Sequence, residues 1–214
     1  MGRRAGTDGL THIQVERFMH YYHFIANRQD RNPDDTFTSA QVAESAGMDG
    51  SLVRKDLAAI NIRGCSGRGF RTDESLEAIR YILGFDEILR AVIIGAGRLG
   101  GALASYHSFT DYGVEICGLF DIAPHKTGLT IGAFEVRHVS SLPNIVRQMS
   151  ASIAILTVPP EAAQESADNA VAAGIRGIWN FAGTRLELPK DVCVRHEHIS
   201  VGLAELGYKL RNAT

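Results

Sequence analysis

The chain has 214 residues, of which 45% are hydrophobic and 21% charged, an ordinary globular composition with enough length to bury a core. A net charge of −2 gives no global pull toward nucleic acid, and no apolar run reaches the ~20 residues that span a bilayer. The opening residues MGRRAGTDGLTH read as a frayed tail without the apolar stretch of a secretory signal, so the cytoplasm is the expected compartment.

Phe18, Tyr21, Tyr22 and Ile25 recur at i, i+3, i+4, i+7, which predicts an amphipathic helix over about 13–27. The polar stretch NRQDRNPDDTF reads as a loop. Thr38 with Gln41 three residues on has capping-box spacing and opens a second helix that stops at Gly47. Asp49 is the expected N-cap of a third helix, DGSLVRKDLAAI, whose Val53, Leu57 and Ile60 form one apolar stripe. NIRGCSGRGF, rich in glycine, suits a tight hairpin, and ESLEAIRYILG closes the module. Helix, helix, turn, helix, hairpin is the order of a winged helix-turn-helix, placed at 1–83. Within 51–71, Arg54, Lys55, Arg63, Arg68 and Arg71 face only Asp56, a local basic cluster suited to phosphate contacts.

From Leu89 the period changes. AVIIG, VEICGLF, IAILTVP and IRGIWNF are short apolar runs alternating with helical stretches, so 84–198 is expected to be an α/β domain with a Rossmann-type parallel sheet. The final segment, ISVGLAELGYKLRN, carries Ile199, Leu203, Leu206 and Leu210 at helical spacing, an apolar face that needs a partner. Three scattered cysteines argue against a disulfide framework. Cys117 and Cys193 fall in strand-like runs where a thiol is usually buried, whereas Cys65 sits in a glycine-rich turn and is expected to be exposed, with no second cysteine nearby to resolve an oxidised form.

AVIIGAGRLGGALASY is a strand entering Gly95-Ala96-Gly97-Arg98-Leu99-Gly100 and then a helix. Gly95 permits the tight turn, Gly97 lets backbone approach a pyrophosphate, and Gly100 lets helix pack on strand. Asp121, about 20 residues further on at the end of the second strand, suits a ribose hydroxyl acceptor. Its charge disfavours a 2′-phosphate, and also coenzyme A with its 3′-phosphate, so NAD(H) is the expected ligand. The rest of the chain is consumed by the remaining strands. With no room for a substrate domain and no acid–base constellation, the dinucleotide is expected to be a ligand, and the chain is not read as an enzyme.

The chain resembles the Rex family of redox-sensing repressors from about Arg17 to Leu210. The resemblance rests on Val53-Arg54-Lys55-Asp56-Leu57, Gly67-Arg68-Gly69-Phe70, the glycine motif, Ala154-Ile155-Leu156-Thr157-Val158-Pro159 and Trp179-Asn180-Phe181-Ala182, in this order. It implies a homodimer whose terminal helices, 199–214 here, are swapped. It also implies repression of genes of NADH-linked metabolism, relieved when NADH binds. Double-stranded operator DNA would be read by Arg17, Ser51, Arg54, Lys55, Arg63 and Arg68, with two half-sites for a dimer. Thr157, Val158, Pro159, Asn180, Phe181 and Ile199 would line the nicotinamide end.

This sequence also departs from the family. An Asp usually precedes the swapped helix and alternates between an Arg on the first helix and a Tyr beside the nucleotide. Tyr106 matches that Tyr, but the Asp position reads His198 and the Arg position reads His23. Two imidazoles share a hydrogen bond when neutral and repel when charged, so the switch is expected to be weakened or pH-sensitive, on the ordinary imidazole pKa of ~6.5. His20-x-x-His23 and His196-x-His198 have ligand-like spacing, yet such pairs more often pack or face solvent, and no metal is assigned. The stretch after the third helix, Ala58 to Gly64, lacks the family's usual aromatics, Cys65-Ser66 replaces the wing's basic pair, and Gly183 replaces a proline. Two other readings stay open at this point: a regulator with lost redox discrimination, and a Rossmann-fold metabolic protein whose N-terminal helices only dimerise.

Overall fold

The computed structural model describes residues 10–29 and 35–212, so most of the expected frayed tail lies outside the described residues. The chain divides into two compact units, residues 1–87 and 88–214.

In the first unit, α1 (His12–Gln29) buries Phe18, Tyr21, Tyr22 and Ile25, the four residues of its apolar period. α2 (Ser39–Ala46) carries the reciprocal Thr38/Gln41 capping box and ends at Gly47 in the left-handed conformation. α3 (Gly50–Ala59) starts at Asp49, whose carboxylate accepts the Ser51 backbone N–H at 2.7 Å. α4 (Thr72–Leu83) ends at Gly84 with φ of 78°. The expected hairpin at 61–70 needs correction. Its tip is a tight turn closed by Cys65 N–H donating to the Gly69 carbonyl at 2.8 Å. The strand that leaves it, β2 (Phe70–Arg71), pairs antiparallel with β1 (Thr36–Phe37), in the stretch read as loop. The reason is a close crossing. A Cβ on Gly69 would lie 2.3 Å from the Phe37 carbonyl oxygen, and the Phe37 and Phe70 rings stack with centroids 5.5 Å apart.

The second unit is a seven-stranded sheet in the order β5-β6-β4-β3-β7-β8-β9, parallel except for β5. The strands are β3 (Leu89–Ile94), β4 (Val114–Asp121), β5 (Thr130–Ile131), β6 (Phe134–His138), β7 (Ile153–Leu156), β8 (Gly177–Asn180) and β9 (Cys193–His196). Leaving out β5, this is the doubly wound order that reverses between its first and fourth strands, here β3 and β7. Alternate residues of β3 feed opposite faces. Val92 and Ile94 join a core with α6 (Leu142–Met149) and α7 (Pro160–Ala172), while Ala91 and Ile93 join one with α5 (Arg98–Ala104). Ala163, Ala167 and Ala170 are fully buried, letting α7 approach the sheet closely.

Cys193 is exposed, contrary to the buried thiol expected, because β9 is the outermost strand and Cys193 opens it; Cys117 is half-buried and Cys65 exposed. α8 (Ile199–Asn212) follows, with Val201, Leu203, Leu206, Tyr208 and Leu210 all more than half exposed. Among the described residues no helix is long and apolar enough to cross a membrane.

Candidate functional site

The carboxyl ends of β3 and β7 open into a cavity of about 570 Å³ lined by Gly95, Gly97, Asp121, Lys126, Thr157 and Pro159, among others. This is the crevice at the strand-order reversal where doubly wound sheets take ligands. Each glycine there has a distinct steric role. Gly95 has φ of 108°, and a Cβ on it would sit 2.8 Å from Thr157 backbone. A Cβ on Gly100 would stand 1.9 Å from the Gly95 carbonyl oxygen. Among the described residues a Cβ on Gly97 would meet nothing within 4 Å, so none of them demands glycine there; what it preserves is room over the start of α5. As the α5 N-cap, Gly97 supplies no side chain to occupy the first-turn N–H groups. The open cradle over a bare helix start fits a dinucleotide pyrophosphate. Ala96 is buried and Arg98 and Leu99 are exposed.

Thr157 serves the protein itself: its hydroxyl donates to the Gly95 carbonyl at 2.7 Å, pinning the glycine turn. Val158 is half-buried and Pro159 exposed, at the lead into α7. Asp121, read in the sequence as a ribose hydroxyl acceptor, is already engaged within the protein. It is buried; its Oδ2 accepts from Ala96 N–H at 2.8 Å and from the Lys126 ammonium at 2.7 Å, and its Oδ1 accepts from Ala123 N–H at 2.8 Å. Burial alone would raise its pKa, but the hydrogen bonds from Lys126, Ala123 and Ala96 outweigh burial and hold the carboxyl below its usual range. The corner that the sequence assigns to the ribose therefore carries a cation beside the acid, which weakens the expectation that Asp121 simply rejects a phosphate. Lys126 was missed in the sequence because it reaches back over a short 3-10 turn, Pro124–Lys126, a contact no helical or strand period announces.

Asn180 is likewise committed internally. It is buried, accepts from Ala182 N–H at 2.9 Å, and donates to the Thr184 carbonyl at 2.7 Å and to His196 Nδ1 at 3.0 Å. These bonds shape the loop after β8, the segment the resemblance assigns to the nicotinamide end. Phe181 lies half-buried in a run of aromatics the sequence did not reveal: Tyr106–Phe109, Phe109–Trp179 and Trp179–Phe181 have ring centroids 5.0, 6.0 and 4.8 Å apart. Trp179 Nε1 donates to Glu197 Oε1 at 3.0 Å, and Arg195 Nε donates to the same oxygen at 3.0 Å. Burial pushes the Glu197 carboxyl up, but these bonds prevail and leave it below the usual range. Tyr106 and His198 are exposed, and Ile199 opens α8.

On the first unit, Ser51, Arg54, Lys55, Arg63 and Arg68 are all exposed on α3 and the turn after it. Arg54 Nη1 donates to Ser39 Oγ at 2.9 Å, tying α3 to α2, and the Ser51 hydroxyl donates to Asp49. Arg71 leaves the basic cluster, since it pairs with Asp73 and with Glu74 at 3.0 Å. Arg17, expected at DNA, is engaged inside its own unit. It is largely buried, donating from Nε to Asp56 Oδ2 at 2.7 Å and from Nη2 to Oδ1 at 2.8 Å, and Tyr21 OH donates to the same carboxylate at 2.9 Å. Burial and the neighbouring carboxylate push the Tyr21 phenol up, keeping it a donor. This triad docks α3 on α1 and cancels the one acid in the basic stretch. His23 is exposed, its ring edge-on to Tyr22 at 5.7 Å. Among the described residues no group of three or more His, Cys, Asp or Glu is placed to hold a metal.

Fold and site together define a class: a winged-helix unit with an exposed basic recognition helix, joined in one chain to a Rossmann-type unit with an open glycine cradle. Residues 86–184 match the family described as CoA binding domain. The redox-sensing transcriptional repressor Rex of Clostridium botulinum (strain Eklund 17B / Type B) is 36% identical over 189 residues, covering 88% of this chain and 90% of that protein. That of Clostridioides difficile (strain 630) is 34% identical over 96% of this chain and 98% of its own length. The crystal structure of RSP, a Rex-family repressor, in complex with β-NAD+ and operator DNA superposes with a TM-score of 0.87 at 32% identity, covering 96% of this chain and 94% of RSP. RSP in complex with β-NADH superposes at 0.85 and 31% identity, covering 95% of each chain. The chain belongs to the Rex family of redox-sensing transcriptional repressors.

Proposed function

We propose that this protein is a DNA-binding transcriptional repressor that reads the NADH/NAD+ balance, with NADH releasing it from its operator. The observation that carries the reading is Gly97: a glycine that the protein's own packing does not require, holding open the start of α5 within a Rex-family chain whose other unit presents Arg54, Lys55, Arg63 and Arg68 to solvent. In this reading the glycine turn from Gly95 to Gly100, with Thr157, Val158 and Pro159 opposite, holds the dinucleotide, while Asp121 and Lys126 face its adenosine ribose. Phe181 and Ile199 border the nicotinamide. The dinucleotide acts as a ligand that shifts a conformational balance, and no hydride is transferred. Support comes from the relatives named redox-sensing repressors and from RSP, solved with NAD+ and operator DNA and with NADH.

Operator DNA is read in the major groove by the N-terminal turns of α3. The working state is a cytoplasmic homodimer in which α8 is covered by the second copy; each large apolar side chain so covered contributes about 1.5–3 kcal/mol. His23 and His198, both exposed, stand where the family resemblance led us to expect opposite charges, and this favours a second reading in which DNA binding is retained but the redox response is reduced or pH-dependent.

Operator selection with the purified protein, followed by gel shifts across a salt series, tests the DNA half. Specific binding whose logarithm falls steeply with the logarithm of salt is expected from several phosphate contacts. Absence of any selected sequence, with salt-insensitive binding, returns the chain to the class of nucleotide-carrying metabolic proteins.

A further inference from the structure

This inference rests on reading the cavity as a dinucleotide site and concerns its ribose corner. Where that corner holds an acid with free oxygens, the acid takes ribose hydroxyls and repels a ribose phosphate. Asp121 is already engaged by three donors, on Oδ2 by Ala96 N–H and the Lys126 ammonium, and on Oδ1 by Ala123 N–H. A carboxylate has about four lone-pair directions, so little of its accepting capacity remains. Lys126 spends one of its three N–H donors on Asp121 and keeps two. Among the described residues lining the cavity it is the one cation; the other charged ones are Asp121 and Glu165.

The ion pair is also sheltered. The side chain of Asp121 is 8% exposed and that of Lys126 is 31% exposed, so solvent screens their charges less than it would a surface pair. To first approximation the corner is then neutral, with an ammonium able to act as a point-charge phosphate binder.

We propose that Lys126 is a specificity-determining residue of this site: its ammonium offsets the charge of Asp121 and is available to a ribose 2′-phosphate. The site therefore distinguishes NADH from NADPH less sharply than an unpaired acid would. Asp121 is correspondingly a positioning residue, tying the glycine turn at Ala96 to the turn that carries Lys126.

The test is calorimetric titration of the full chain with NADH and with NADPH, comparing the ratio of the two Kd values among variants. In Lys126→Met and in the second neutral variant, Lys126→Gln, the NADPH/NADH ratio is expected to rise about fivefold or more, the scale of one partly exposed charge contact. Lys126→Arg, which keeps the charge, is expected to hold the ratio within about twofold of the parent. A ratio unmoved in both neutral variants, or moved equally in the arginine variant, overturns the proposal. Should the parent bind NADH while the neutral variants leave the ratio unchanged, only the role of Lys126 falls; a parent that binds neither dinucleotide brings down the site reading as well.

Discussion

Alanine at Gly97 and alanine at Gly100 separate the binding role of the cradle from its folding role. Gly97 has φ of −87° and open space where a Cβ would point, so alanine there meets no strain and no neighbour. The cost to the fold is that of a poorer N-cap, under about 1 kcal/mol. The new methyl group occupies the space over the start of α5, and NADH affinity is expected to fall about tenfold or more, equivalent to 1.4 kcal/mol or beyond. At Gly100 the Cβ would lie 1.9 Å from the Gly95 carbonyl oxygen and 2.7 Å from Thr157 Oγ1. Those two groups are tied to each other by the 2.7 Å Thr157–Gly95 hydrogen bond, so neither moves without breaking it. Overpacking against fixed backbone costs about 1–3 kcal/mol or more, a fall in Tm of roughly 4–12 °C for a unit of this size. Thermal melts with and without NADH, together with calorimetric titration, read both quantities. A Gly97→Ala protein that binds NADH as the parent does would refute the passage of the dinucleotide over this residue; a Gly100→Ala protein of unchanged Tm would refute the packing argument.

Three further outcomes follow from the structure. Arg17→Met leaves the buried Asp56 carboxylate with Tyr21 as its remaining donor among the pairs described, so denaturant unfolding is expected to show a loss of about 3–5 kcal/mol; a loss below 1 kcal/mol would return Arg17 to the DNA face. Asp121 and Glu197 both have pKa values held below the usual carboxylate range, and a lowered folded-state pKa stabilises fully above the unfolded values of about 4 and fades as pH drops through the folded ones. The Tm should therefore decline as pH falls below about 4, less steeply in Asp121→Asn, and parallel declines would discard the linkage. The double variant His23→Arg, His198→Asp restores opposite charges, and gel shifts should show a larger effect of NADH on DNA binding than in the parent; an equal effect would detach these positions from the switch.

Short-range signals carried most of the fold. Thr38 with Gln41, Asp49 with Ser51, and Gly47 and Gly84 announce their helix ends because caps are read over two or three residues. The runs at β3 and β7 stand out because strands buried on both faces are continuously apolar. β6 was silent because Glu135 and Arg137 alternate with its buried Val136 and mask the strand. β1 and β2 are two residues each and exist by pairing across the whole of α2 and α3. Site chemistry was legible in its glycines, whose role is steric and local. The commitments of Asp121 to Lys126, of Asn180 to His196 and of Arg17 to Asp56 arise when distant or turn-separated residues meet, so no local pattern announces them.

The central claim is that dinucleotide redox state governs DNA affinity. Operator selected on the purified protein should be bound in NAD+ and released when NADH replaces it at matched concentration. Complete switching from 99:1 to 1:99 would need a differential affinity of about 10⁴-fold, so even a reduced response would be measurable by fluorescence anisotropy. DNA affinities that coincide in NADH and NAD+ would contradict the account.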